Sequence, residues 1–149
     1  MDGVVSERPS PDHLKLDADG LMAFLRGAFP QAPPEFLGKV LEVRPGFVRF
    51  QRISNPWDLR PGNLVSGPTQ MGLVDSVAYL LVAAHFGPVE MAVTTHLNMQ
   101  FLRPCQPGVI TADASLLKLG RRLVNMDVRI WTDTPEKPVA HATVTYALP

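Results

Sequence analysis

Between Met71 and Ala84 the chain is apolar on nearly every side when wound at 3.6 residues per turn, and a single carboxylate, Asp75, interrupts it. A helix of this kind belongs inside a domain, so the rest of the chain has to cover it on most of its circumference. An ionised carboxylate placed there is costly unless it is hydrogen-bonded, paired or employed in chemistry. Asp75 is therefore the first candidate for a functional residue.

The 149-residue chain has the means to build that cover: apolar residues make up 46% and charged residues 19%, values ordinary for one globular domain. Lys and Arg number 14 against 14 Asp and Glu, so no overall field attracts nucleic acid or an anionic membrane, although a local arginine cluster can still hold a phosphate. One cysteine, Cys105, can form neither an intrachain disulfide nor a zinc set, which suits a reducing compartment; a cytoplasmic protein without metal or other cofactor is expected. The polar start of the chain lacks the pattern of a signal peptide, and Asp75 and Tyr79 break the most apolar stretch, so no membrane span is expected.

Residues 1–18 read as a weakly ordered arm, followed by a short helix over 20–29 capped by Asp19, with Leu21, Phe24, Leu25 and Ala28 on one face and Pro30 ending it. Residues 1–35 are expected to form this arm and helix, and residues 36–149 the main domain. Two strands are predicted over 36–43 and 47–53, joined through Pro45-Gly46. The stretch 54–68, rich in Asn, Pro, Gly and Ser around Trp57, reads as a functional loop whose Trp57 walls a pocket or interface. Ser66 or Thr69 caps the apolar helix, Gly87-Pro88 closes it, and His85 complements its dipole. The period then changes to two. Val93, Thr95, Leu97, Met99 and Phe101 face one way, and Thr94, His96, Asn98 and Gln100 the other; further strands follow over 110–116, 124–130 and 140–148. Four consecutive strands predict an antiparallel meander, and the whole predicts an α+β fold in which one curved sheet wraps one central helix.

Common catalytic patterns are absent from the sequence: no GxSxG elbow, P-loop, GxGxxG after a strand or HExxH occurs, and Cys105 has no adjacent base. Instead, three stretches taken in order resemble the hot-dog thioesterase superfamily, and within it the PaaI-type acyl-CoA thioesterases. They are Ser66-Gly67-Pro68-Thr69 running to Leu73-Val74-Asp75, the strand from Thr94-Thr95-His96 to Leu102-Arg103-Pro104, and Lys118-Leu119-Gly120-Arg121-Arg122 leading to Ala140 and Thr145-Tyr146.

The resemblance implies a dimer or tetramer with each active site across a dimer interface, and hydrolysis of an acyl-CoA thioester without a cofactor. Asp75 stands at the family's carboxylate position, acting as nucleophile or as general base for water. Gly67 stands at the glycine whose N–H polarises the thioester carbonyl, a role that the partial positive charge of a helix N-terminus favours. Thr94 aligns with a helper hydroxyl, Thr95 is its neighbour on the strand, and Arg103, Arg121 and Arg122 are placed to meet CoA phosphates.

The commoner family motif reads His-Gly-Gly, whereas this chain has Ser66 and Pro68 at the His and second Gly positions, with Arg60 at the site of an asparagine and Asn63 nearby. Ser66 can donate and accept a hydrogen bond but cannot act as an imidazole acid. Plain alternatives stand beside each role: Asp75 as an N-cap, Gly67 as a turn residue, the threonines as strand formers, the arginines as solvated charges. The rival function is a non-catalytic acyl-CoA or acyl-carrier binder; a dehydratase fits least, because no histidine lies near the helix start.

Overall fold

The computed structural model describes residues 9–149, so the first eight residues of the expected arm lie outside the described residues. The apolar run sits in a 20-residue helix, which, after two earlier helices, is α3 (Gly67–Phe86). Ser66 is the N-cap, its Oγ accepting from Thr69 N–H at 3.3 Å, and Pro68 follows in the first turn, where a missing N–H leaves no bond unmade. Gly87 ends the helix at φ +87°, a conformation open to glycine, with its N–H donating to Ala83 O.

Two shorter helices come first, α1 (Ala18–Ala28) and α2 (Pro34–Leu37). The cap of α1 is Asp17 rather than Asp19: Asp17 Oδ1 accepts from Gly20 N–H at 2.8 Å. The strand predicted to begin at Phe36 starts only at Lys39, because Pro34 opens a helical turn that Gly38, at φ +82°, closes. Strands β1 (Lys39–Arg44) and β2 (Phe47–Ile53) form the expected hairpin. The predicted loop holds a 3₁₀ turn (Pro56–Asp58) and a two-stranded ribbon of β3 (Leu59–Arg60) and β4 (Leu64–Val65).

Four strands follow α3: β5 (Val93–Phe101), β6 (Val109–Leu119), β7 (Leu123–Trp131) and β8 (Ala140–Ala147). They do not form a four-strand meander. The antiparallel sheet runs β1-β2-β6-β7-β8-β5, so β6, β7 and β8 are consecutive while β5 crosses to the far edge and pairs with β8. Both edges of β6 are already occupied, by β2 and β7, which leaves β5 the free edge of β8.

The sheet curves around α3, giving the hot-dog arrangement. Its inner face carries Val48, Phe50, Ile110, Ala112, Ala114, Met126, Val128, Ile130, Ala142 and Val144, all buried, against Leu73, Val74, Val77, Leu80 and Leu81 of the helix. Each large aliphatic side chain buried in this way contributes about 1.5–3 kcal/mol. Leu21, Phe24 and Leu25 of α1 complete the cover on the side the sheet leaves open. The described part of the arm is also attached: Lys15 N–H and Leu16 N–H donate to Ala84 O at 2.7 and 3.2 Å. His85, fully buried, accepts from Gly46 N–H through Nε2 and meets Ser10 O and His13 O through Nδ1, so it joins arm and hairpin rather than serving only the helix dipole. Among the described residues no helix is long and apolar enough to cross a membrane.

Candidate active site

Asp75 occupies the third turn of α3 and is half-buried between α1 and the β8–β5 edge of the sheet. Its Oδ1 accepts a hydrogen bond from Thr94 Oγ1 at 2.6 Å and another from the Tyr146 hydroxyl at 2.7 Å. No Lys, Arg or His among the described residues pairs with it. Two neutral hydroxyls therefore fix the direction of the carboxylate without neutralising its charge. Oδ2 receives no bond from the described residues and is not one of the buried unpartnered atoms, so it is the oxygen left to a ligand or to water.

Thr94 reaches Asp75 because of a β-bulge. Thr94 pairs with Tyr146 and His96 with Thr145, so Thr95 is the extra residue, and strict alternation breaks at that point. Thr94 thereby joins the helix-facing side of Leu97, Met99 and Phe101, opposite pairing partners Val144, Ala142 and Ala140 that are buried in the core. Thr95 donates to Thr145 O at 3.2 Å. The predicted grouping of Thr95 with Val93, Leu97, Met99 and Phe101 gives way to this one-residue shift.

Tyr146 is the member of this group that sequence reasoning left without a separate role. Its inward place in the β8 alternation was legible, but a partner 71 positions away is not signalled by any local pattern. Burial pushes its phenol far above the ordinary value, with Thr94 opposing and the Asp75 carboxylate adding to the rise, so it remains a hydrogen-bond donor. Its ring stacks on Tyr79, centroids 5.9 Å apart, and Tyr79 in turn meets Phe24 of α1.

A cavity of about 370 Å³ opens over this group, walled by Leu25 of α1 and Phe29 just beyond it, Ser76 and Tyr79 of α3, and Val93. A second, of about 320 Å³, shares Leu25, Phe29 and Ser76 with it and continues along α3 past Leu73 to Phe36 and Leu37. The two cavities adjoin and are largely apolar, with Asp75 in the first and Arg52, Asp58 and Thr69 in the second.

The helix start is held separately. Asp58 accepts both guanidinium arms of Arg52 at 2.8 and 3.1 Å, Asn55 N–H, and the Thr69 hydroxyl, which itself receives the Ser66 hydroxyl. Burial pushes the Asp58 carboxyl up, but these donors outweigh it and hold the group below the ordinary carboxylate value. With Thr69 N–H on Ser66 Oγ, Gln70 N–H on Ser66 O and Pro68 lacking a donor, Gly67 N–H is the free donor of the first turn. A Cβ at Gly67 would stand 3.3 Å from the Phe101 ring.

Gly67 lines a third cavity, of about 470 Å³, with Arg60, Gln70, Phe101, Arg103 and Cys105. The structure thus brings Asp75 and Thr94 together in one place and Gly67 and Arg103 in another, Arg103 also donating to Pro138 O. Ser66 and Pro68 shape the helix start. Asn63 sits in the β3–β4 turn at φ +58°, Arg121 and Arg122 are exposed at the β6–β7 turn, and Trp57 is 84% exposed; none of these, nor Thr95, lines the three cavities. Burial raises the Cys105 thiol to about 11, which makes it a poor nucleophile. Among the described residues no group of three or more His, Cys, Asp or Glu is placed to hold a metal ion.

Comparison with known proteins adds an independent line. A family model for the thioesterase superfamily matches residues 62–139, from the β3–β4 turn to the threshold of β8. The solved structure of a candidate thioesterase from Silicibacter sp. TM1040 is 37% identical, with a TM-score of 0.82 over 94% of this chain and 96% of that one. A candidate thioesterase from Ralstonia eutropha JMP134, described as related to phenylacetic acid degradation, is 28% identical with a TM-score of 0.72 over 84% and 98% of the two chains. A candidate esterase of Thermoplasma acidophilum is 29% identical over 70 residues, 47% of this chain, so the match spans about half (52%) of that protein.

Proposed function

This chain belongs to the thioesterase superfamily, and from that premise we propose that it hydrolyses acyl-CoA thioesters with Asp75 as the reacting carboxylate. The observation that carries the reading is the Asp75 group: a carboxylate without a cation, held through Oδ1 by Thr94 and Tyr146, with Oδ2 open to a largely apolar cavity. As general base, Oδ2 takes a proton from water while the water oxygen attacks the thioester carbon. The C–O bond forms, the carbonyl electrons move to an oxyanion at Gly67 N–H, and on collapse the C–S bond breaks and the proton passes to the departing thiolate. As nucleophile, Oδ2 itself attacks the thioester carbon, the C–S bond breaks and the thiolate leaves; water then opens the resulting anhydride at the Asp75 carbonyl carbon, its proton passing to the thiolate. A single turnover in ¹⁸O-water separates the two, since only the second route places label in Asp75.

Gly67 and Asp75 of one chain line different cavities and lie about 12 Å apart along the helix at 1.5 Å per residue. The Asp75 cavity includes Val93 and Thr94 at the start of β5, and the Gly67 cavity includes Phe101 at its end. β5 is an edge strand with Val93 and Phe101 exposed. A second copy laid antiparallel along that edge brings the start of each β5 to the end of the other, so Gly67 of one copy meets Asp75 of its partner. We therefore read the active unit as a homodimer, or a tetramer of two such pairs. Thr94 positions the carboxylate; Arg103 with Arg121 and Arg122 supplies charge for the CoA phosphates; Ser66, Pro68, Asn63 and Thr95 shape the approaches.

The test is a panel of aliphatic and aryl acyl-CoAs assayed for released thiol, with Asp75→Ala beside the wild type. Turnover by wild type and its loss in Asp75→Ala are expected; equal turnover by both removes Asp75 from the mechanism. The Ser66 hydroxyl, committed to Thr69, favours a second reading, binding of acyl-CoA without cleavage; tight binding without released thiol selects it.

A further inference from the structure

Gln70 carries a feature that the hydrolytic site described above does not use. Its side chain is 5% exposed and lines the Gly67 cavity. Nε2 donates to Val65 O at 3.3 Å, which fixes which end of the amide is which. Oε1 has no hydrogen-bond partner and is the one buried unpartnered side-chain atom among the described residues. An acceptor left so is unfavourable by an amount comparable with a lost hydrogen bond, so the site is built for something that donates.

One helical turn away on the same face is the opposite group, the free Gly67 N–H. A ligand that satisfies both presents a carbonyl oxygen and, a few bonds away, an N–H. The cysteamine end of an acyl-CoA has this pattern: the thioester carbonyl, then sulfur and two methylenes, then an amide N–H. Arg60 and Arg103 line the same cavity, and their guanidinium groups suit the phosphates such a substrate carries.

We propose that Gln70 Oε1 accepts the cysteamine amide N–H of the substrate while Gly67 N–H holds its thioester carbonyl, so that Gln70 makes the site select amide-bearing thioesters over simple alkyl ones. The inference rests on the thioesterase reading and names the substrate arm that reading leaves open.

The experiment compares two small thioesters of the acyl group turned over fastest in the CoA panel. One is the thioester of N-acetylcysteamine; the other replaces its N–H by oxygen, as the thioester of 2-mercaptoethyl acetate. Wild type is expected to show kcat/KM at least about ten-fold higher for the amide, the range of one hydrogen bond to a buried acceptor. Gln70→Met, similar in shape and without an acceptor, brings the two within about two-fold by lowering the amide alone; its thermal midpoint carries two opposed changes, loss of the orphan acceptor and loss of the bond to Val65 O. Equal turnover of both thioesters by wild type overturns the role of Gln70 and leaves the thioesterase reading standing, and it does so without any variant that has to fold. An amide preference that survives in Gln70→Met overturns the role as well. Failure of wild type to cleave either compound or any acyl-CoA instead overturns the thioesterase reading, and this inference with it.

Discussion

Tyr146→Phe deletes one oxygen and keeps the ring that stacks on Tyr79, so it isolates the bond to Asp75. A hydrogen bond to a charged group contributes about 1.5–3 kcal/mol. The donor is 3% exposed, which argues for the upper part of that range, but Asp75 is half-buried beside an open cavity and keeps Thr94, which argues for the lower. We expect a loss of about 1.5 kcal/mol, or about 3–6 °C in the thermal midpoint for a chain of this size. Asp75→Ala should act in the other direction, melting at or above wild type, because it removes a half-buried charge that has no cation. In that background Tyr146→Phe should lose less than about 0.5 kcal/mol, only the longer approach to Asp75 O remaining. The assay is the four-protein cycle, by urea unfolding and by kcat and KM on the best acyl-CoA. For Tyr146→Phe we expect kcat to fall about ten-fold with KM within about two-fold, since the cavity wall is intact. An equal stability loss in both backgrounds would refute the claim that the hydroxyl works through Asp75.

Three further outcomes follow from the same geometry. The Asp58 carboxyl is held low in the folded state, so its contribution to stability is complete above its unfolded value of about 4 and is lost as pH falls through the folded value; urea midpoints from pH 6 to pH 2.5 should fall more steeply for wild type than for Asp58→Asn. Cys105, buried and raised to about 11, should resist a disulfide reagent at pH 8 until the chain unfolds, so the released-thiol assay has no background from it; stoichiometric labelling of native protein within minutes would contradict this. Thr94→Val should lower kcat by about ten-fold while Thr95→Val, which loses only a bond to Thr145 O, changes it by less than about two-fold; the reverse order would place the bulge elsewhere.

What sequence reasoning could see was what is coded locally. The run from Met71 to Ala84 has no polar face, and that alone demanded a wrapped helix; the period of two marked the strands that became β6, β7 and β8. Asp75, a lone charge in an apolar segment, was conspicuous for the same reason. What escaped depends on contacts between distant parts. The place of β5 follows from which strand edges remain free, and no residue within β5 encodes that. The bulge at Thr95 moves Thr94 to the other face although the sequence alternates through it without a glycine or proline to mark the break. The strand expected from Phe36 gives way to a helical turn that Pro34 opens and Gly38 stops. Tyr146 and Gln70 look like ordinary residues of a strand and a helix until the partner of one, and the lack of a partner for the other, are seen in space.

The cavities beside Asp75 join contributions from two separate parts of the chain. Asp75 and Thr94 lie within the segment that matches the thioesterase family model, whereas Leu25, Phe29, Phe36 and Leu37, which line the cavities, lie before it. The carboxylate and part of its surrounding wall thus sit on different stretches of polypeptide. On the proposed reading, substitutions in α1 and α2 would change the walls of the cavities beside Asp75 without altering the carboxylate itself.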